Sequence, residues 1–108
     1  MKAITKLTVT NNRLQKLDVT ELNQMRSLNC QNNLLSELKL GETKNLNGLQ
    51  CQNNQLEEID VSMYKNLERL YCQGNKIGSI NVFGLKQLST LACNSNQISA
   101  LNLWDAHR

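Results

Sequence analysis

The sequence contains no proline and few aromatic residues, with one Trp, two Tyr and one Phe among 108 residues. An aromatic core is thereby excluded, so the interior must be built from Leu, Ile, Val and Cys. No apolar run approaches the roughly 18 residues of a membrane-spanning helix, and residues 1–9 contain no continuous apolar segment of the secretory type. We therefore expect a soluble cytoplasmic protein. A secreted or surface protein whose leader had been removed would show the same pattern.

The sequence also lacks clusters of charge of one sign. The 12 basic and 9 acidic residues give a net charge of +3 and are scattered along the chain, so no block of like charge suggests a nucleic-acid arm or a membrane-binding patch. Lys44, Lys65 and Lys86 recur at one spacing but have no interleaved aromatic residues, and a solvated surface explains them best. The expected partners include neither nucleic acid nor membrane.

The chain repeats itself every 21 residues without insertion or deletion. Each of the five units begins with Leu: Leu7, Leu28, Leu49, Leu70 and Leu91. The third position is Val9, Cys30, Cys51, Cys72 and Cys93, and the sixth is Asn12, Asn33, Asn54, Asn75 and Asn96. A strict period is unusual in ordinary globular folds, whose loops vary in length. It indicates a coil that stacks on itself.

Within each unit, the alternation Leu-x-Cys places the first and third residues on one face, as a strand does. We predict parallel strands near 7–10, 28–31, 49–52, 70–73 and 91–94. A second, shorter strand or extended segment is predicted at residues 17–19, 59–61 and 80–82. Residues 63–68 and their equivalents have room for a single helical turn. The expected fold is one domain, 1–108, with a partial cap at 1–6 and repeats at 7–27, 28–48, 49–69, 70–90 and 91–108.

The pattern LxxLxCxxNxI, at Leu67, Leu70, Cys72, Asn75 and Ile77, resembles the signature of leucine-rich repeat proteins. The 21-residue length and the Cys at the second strand position are most similar to a bacterial subclass. The resemblance implies an α/β-type solenoid, mostly β, coiled to the right, with a concave parallel sheet that binds a partner and with extended or short helical turns on the convex side. It names no particular partner.

The cysteines lie one coil apart, on the order of 5 Å between Cα atoms. Parallel side chains keep their Cβ atoms near that distance, wider than the roughly 3.8 Å that a disulfide prefers. Paired zinc ligands are lacking, and the only histidine, His107, lies at the chain end. We expect Cys30, Cys51, Cys72 and Cys93 to be reduced, buried fillers, with no metal and no cofactor.

The Asn column predicts an inward ladder, in which each amide bonds backbone groups left unpaired where the strand turns. Function is then expected on the outward strand positions. These are Thr8, Asn29, Gln50, Tyr71 and Ala92; Thr10, Gln31, Gln52, Gln73 and Asn94; and Lys6, Ser27, Gly48, Arg69 and Thr90. Stacked Gln side chains that bond to one another are one explanation of this face, and partner recognition is the other.

Tyr71 and Arg69 belong to residue types enriched at binding hot spots. We predict that they anchor a protein or peptide, together with Gln50, Gln52, Gln73, Asn29 and Gln31. The alternative is a structural protein that pairs through uncapped solenoid ends, which expose a strand edge; Phe83 and Trp104 share one phase there. No carboxylate pair, Ser with His, or phosphate-binding loop occurs on the concave face, so no catalytic residue and no enzyme is predicted.

Overall fold

The chain forms a coil of short parallel strands in the computed structural model, which describes residues 4–102, with side chains described through residue 99. Within residues 4–102, nine strands of three residues lie on two sides of the coil. They are β1 Lys6–Thr8, β2 Lys16–Asp18, β3 Ser27–Asn29, β4 Glu37–Lys39, β5 Gly48–Gln50, β6 Arg69–Tyr71, β7 Ser79–Asn81, β8 Thr90–Ala92 and β9 Ala100–Asn102. The predicted β solenoid is confirmed.

One side of the coil is a five-stranded parallel sheet in the order β1-β3-β5-β6-β8. Its register follows the repeat, since Leu7 pairs with Leu28 and Leu28 with Leu49. Each strand starts one residue earlier and ends two residues earlier than predicted. The cross-strand bonds continue past the strand end, as from the Val9 N–H to the Asn29 carbonyl at 2.9 Å, but Asn11 takes a positive φ of 58° and turns the chain.

The other side carries two separate pairs, β2-β4 and β7-β9. Residues 59–61, predicted as a short strand or an extended segment, form no strand, so the strand alternative is wrong at this position. Continuing the β2-β4 register by one coil would place Glu58 directly opposite Glu37, because Glu37 already lies opposite Lys16. Like charges facing each other across strands oppose pairing.

The remaining side of each unit consists of consecutive turns, and no helix occurs in residues 4–102. In the third unit, the Tyr64 N–H bonds the Val61 carbonyl at 3.0 Å, and the Leu67 N–H bonds the Tyr64 carbonyl at 3.0 Å. These bonds span three residues rather than four, so the chain turns without starting an α-helix. In this described part of the chain, no helix is long and apolar enough to cross a membrane.

The core is a stack of identical layers. Leu28, Leu49 and Leu70 are fully buried at the strand centres. Leu46 and Leu67, which precede Leu49 and Leu70 in the chain, are also fully buried. A buried Leu contributes about 1.5–3 kcal/mol relative to an exposed one, so each layer stabilises its neighbours. Leu7 and Leu91, in the first and last strands of the five-stranded sheet, are only partly buried. The inward residues thus fix which side chains the sheet presents outward.

Candidate functional site

The outward side chains of the five-stranded sheet form one polar surface, here called the sheet face. It consists of the three outward columns predicted from the sequence. Each column crosses the sheet because the strands pair residue for residue, as Gly48 with Arg69 and Gln50 with Tyr71. Only two of its side chains are charged, Lys6 and Arg69. Among the described residues, the sheet face therefore carries cations and no carboxylate.

Arg69 lies across the neighbouring strand. Its Nη2 atom is 3.0 Å from the position that a Cβ on residue 48 would occupy, so glycine at position 48 leaves room for the guanidinium. Gly48 is buried beneath it. The Arg69 Nη1 atom is 3.4 Å from Oε1 of Glu68, and both side chains are more than two-fifths exposed. An ion pair this exposed contributes at most about 1 kcal/mol, so the guanidinium retains free donors.

Tyr71 follows two residues later on the same strand and is half-buried. Its strand neighbours are Gln50 on one side and Ala92 on the other. Ala92 has a small side chain. Tyr71 is the only aromatic residue on the sheet face. The structure therefore brings Arg69 and Tyr71 together on β6, as the sequence pattern predicts.

The Gln column bonds along the sheet in one place. The Gln52 Nε2 atom donates to Oε1 of Gln31 at 2.6 Å. Oε1 of Gln52 and Oε1 of Gln73 are buried and accept no hydrogen bond from the described residues. Asn29 contributes locally, because its Oδ1 accepts from the Gln31 N–H at 3.3 Å. A side-chain hydrogen bond along the column therefore explains the placement of Gln31 and Gln52. Gln73 and Gln50 make no bond of this kind.

The inner Asn column is a hydrogen-bond ladder between coils. Asn54 is 5% exposed, and its Nδ2 atom lies 3.1 Å from the carbonyl oxygens of both Cys30 and Cys51. Asn75 repeats this arrangement with Cys51 and Cys72, each at 3.0 Å. Asn33 and Asn96 make the corresponding bonds. Each amide thus joins its own coil to the preceding one.

Asn12 departs from the predicted inward ladder. It is exposed, and the structure gives its side chain one hydrogen bond, from Nδ2 to the Thr10 carbonyl at 3.0 Å. The later asparagines bond carbonyl and N–H groups of the coil before them. Within the described residues no complete coil precedes Asn12, so Asn12 has no such groups to bond. The expectation of an inward Asn12 is wrong for this reason.

A second column next to the ladder was not predicted. The residue before each ladder Asn has a positive φ between 58° and 72°. These residues are Asn11, Asn32, Asn53, Gly74 and Ser95. Asn32 and Asn53 also donate side-chain hydrogen bonds of 2.9 Å to the residue one coil earlier. The signal was available, because Asn and Gly are the residues that most readily adopt this conformation.

The cysteines lie in the core rather than at a reactive site. Cys30, Cys51 and Cys72 are fully buried, Cys93 is half-buried, and all four are free thiols. Burial raises the pKa of Cys30 and of Cys72 to about 12 and holds the pKa of Cys51 well above its usual value. A protonated thiol is a poor nucleophile and metal ligand. Within the described residues, no group of three or more His, Cys, Asp or Glu side chains could hold a metal.

The family comparison agrees with this geometry. Residues 65–105 match the family model described as leucine-rich repeats in two copies. Residues 65–105 therefore carry leucine-rich repeats. No curated protein and no solved structure matches the chain.

Leucine-rich repeat domains are commonly protein-interaction modules. The polar sheet face here carries two hot-spot residue types on β6. The bacterial subclass stays a prediction. Trp104 and His107 lie outside the described residues, and so does the predicted contact of Trp104 with Phe83. Phe83 itself is 45% exposed.

Proposed function

We propose that this protein binds a protein or peptide on the sheet face, with Arg69 and Tyr71 at the centre of contact. One observation carries the proposal: the guanidinium of Arg69 lies over Gly48, two residues from the face's only aromatic side chain. Such an arrangement offers an apolar ring and several donors that point the same way. Arg and Tyr are the residue types that contribute most at protein interfaces.

The neighbouring amides support the same proposal. Gln50, Gln73 and Asn29 surround the pair with groups that both donate and accept hydrogen bonds. They suit the polar rim of an interface, which excludes water from a small central contact. Gln31 and Gln52, already bonded to each other at 2.6 Å, are suited to holding the surface rigid.

Pairing through the solenoid ends is not favoured by any observation on residues 4–102. We propose a binding module without a catalytic role, and a reducing compartment for it. The four free thiols support a reducing compartment, because cysteines of extracellular proteins commonly form disulfides.

The test begins with a displayed random-peptide library selected against the wild-type protein. Peptides from this selection are then titrated against the double variant Arg69→Ala with Tyr71→Ala. We expect their affinity to fall by at least about thirtyfold, the loss that a single hot-spot residue already causes. Circular dichroism checks that the variant keeps the wild-type fold.

The matched control removes the same kinds of side chain from the turns. Phe83 and Lys86 are exposed and lie outside the sheet face, so Phe83→Ala with Lys86→Ala is expected to bind the peptides as the wild type does. Equal weakening by both double variants would place binding elsewhere. Undiminished affinity of the Arg69 and Tyr71 variant would refute the proposed site.

A further inference from the structure

The third coil does not pair with its neighbours on the side opposite β5. β4 pairs with β2 and β7 pairs with β9, but residues 57–60, between β4 and β7, make no backbone hydrogen bond. The corresponding bonds exist elsewhere, for example from the Ser36 N–H to the Gln15 carbonyl at 2.9 Å and from the Ser99 N–H to the Gly78 carbonyl at 3.0 Å. We call this interruption the coil-three gap.

Charge and size both keep the gap open. Lys16 of β2 lies 3.9 Å from the carboxylate of Glu37 in β4, and this contact favours the pairing of the two strands. Lys39, on the same strand as Glu37, lies 3.3 Å from that carboxylate. In the same register Glu58 would face Glu37 and repel it. Tyr64 follows the gap where the preceding coil has the smaller Thr43, and its hydroxyl donates to the Gly41 carbonyl at 2.6 Å. This bond holds the bulky ring beneath the unpaired segment.

The gap is a pocket of about 390 Å³. That volume is at the lower end of the range of about 300–1,000 Å³ found for small-ligand sites. Its apolar lining comes from two successive coils, and its rim carries two carboxylates and, from the next coil, a hydroxyl. The lining residues are Leu38, Leu40, Ile59 and Tyr64, and the rim residues are Glu58, Asp60 and Ser79.

The rim carboxylates have no cationic partner among the described side chains. Hydrogen bonds from the Ser62 hydroxyl and backbone N–H to Oδ1 of Asp60, at 2.7 Å and 3.0 Å, lower the pKa of that carboxyl. Asp60 is therefore ionised at neutral pH. Two negative charges thus stand above an apolar floor in a chain whose net charge is +3.

We propose that the coil-three gap binds the side chain of a lysine or arginine supplied by a protein partner. The aliphatic stem packs on Leu38, Leu40 and Ile59, and the cation lies between Glu58 and Asp60. Long basic side chains combine these two properties, since they bury their methylene groups along apolar surface while the charged end remains among polar groups. This site lies outside the sheet face and does not depend on the function proposed for it.

The test uses amide shifts of the full chain in ¹⁵N-resolved NMR spectra. Nα-acetyl-lysine-methylamide is the probe, Nα-acetyl-norleucine-methylamide is its uncharged match, and n-butylammonium represents a free amine. We expect the lysine probe to shift the amides of residues 57–60 and to bind about fivefold more tightly than the norleucine probe, as a partly exposed ion pair allows. Equal binding of norleucine, or no shift at residues 57–60, would overturn the proposal. Butylammonium has the same stem and cation as the lysine side chain, so we expect it to bind as tightly as the lysine probe, and much weaker binding would contradict a site that takes the side chain alone.

Two substitutions of matched charge locate the site. Glu58→Gln is expected to weaken the lysine probe by about fivefold. Glu57→Gln removes the same charge one residue away, outside the pocket lining, and is expected to leave the affinity unchanged. Equal weakening by both would indicate a general charge effect and would contradict the assignment.

A third variant closes the gap. The variant combines Glu58→Lys, which would face Glu37 as Lys16 does, with Tyr64→Thr, which matches Thr43 of the preceding coil, so we expect residues 58–60 to pair with β4. Hydrogen exchange at these amides should slow and the lysine probe should no longer bind. Continued binding by a variant whose exchange has slowed would show that the gap is not the site.

Discussion

The backbone N–H of Leu35 donates a hydrogen bond of 2.9 Å to the side-chain Oδ1 of Asn54, nineteen residues later in the chain. The amide nitrogen of the same Asn54 donates to Cys30, which also belongs to the preceding coil, and to Cys51 in its own coil. One buried side chain therefore satisfies backbone groups of two coils at the corner where the strand turns.

Replacing Asn54 tests how much this link stabilises the coil. Asn54→Ala leaves the buried Leu35 N–H without a partner, whereas the Cys30 carbonyl still accepts from the Asn33 amide. One unsatisfied buried group costs about 1–3 kcal/mol, so we expect the free energy of unfolding, measured by urea titration, to fall by that amount. A midpoint equal to that of the wild type would show that water or backbone rearrangement replaces the amide.

The control is Asn12→Ala in the first coil. Asn12 occupies the same repeat position, but it is exposed and bonds only the nearby Thr10 carbonyl. We expect a change within about 0.5 kcal/mol, as for most surface substitutions. A loss as large as that of Asn54→Ala would contradict the explanation by burial.

The positive φ column predicts opposite outcomes for two glycines in the fourth coil. Gly74 has a φ of 72°, and a Cβ there would collide with Oδ1 of Asn53, whereas a Cβ on Gly78 meets nothing within 4 Å. Gly74→Ala should therefore lower the free energy of unfolding by at least about 1–2 kcal/mol, the cost of a left-handed alanine. Gly78→Ala should be neutral or stabilising by up to about 1 kcal/mol. Urea titration of both variants measures the difference, and similar destabilisation by both would contradict it.

The buried thiols predict a loss of stability in alkaline solution. The pKa of Cys30 and of Cys72 is about 12 in the folded chain, against an ordinary value of 9.0. Above about pH 9 the unfolded state loses these protons first and binds fewer than the folded state, so stability falls as pH rises towards 12. The urea midpoint should therefore decrease between about pH 8 and pH 10. Cys51→Ala should show a shallower decrease, and a slope equal to that of the wild type would contradict a thiol origin.

Much of the fold was predictable because each unit repeats one local pattern. Leu28, Leu49 and Leu70 are buried at the strand centres as the alternation predicts, and Arg69 lies on the outward face two residues from Tyr71. The strand ends were less predictable, because single cross-strand bonds continue past each strand end until a left-handed residue such as Asn11 turns the chain. Its conformation depends on a tight turn that the hydrophobic period does not encode.

The candidate sites were predictable only in part. The outward columns indicated the residues of the sheet face, but not that Arg69 would lie over Gly48, since this contact joins two strands. The coil-three gap was missed for a related reason. Residues 59–61 have the alternation of a strand, and their failure to pair becomes clear only when Glu58 is placed beside Glu37.

The sequence by itself determined the repeat length, the inward Leu and Cys columns, the Asn ladder of the inner coils and the polar character of the sheet face. Each of these follows from residue type and spacing within one unit, which local backbone geometry translates directly into inward and outward positions. Only the tertiary structure decided that Asn12 is exposed, that Arg69 covers Gly48 and that the coil-three gap stays open. These features arise between coils, where stacking sets side chains 21 residues apart next to each other and their charge and volume determine the contact.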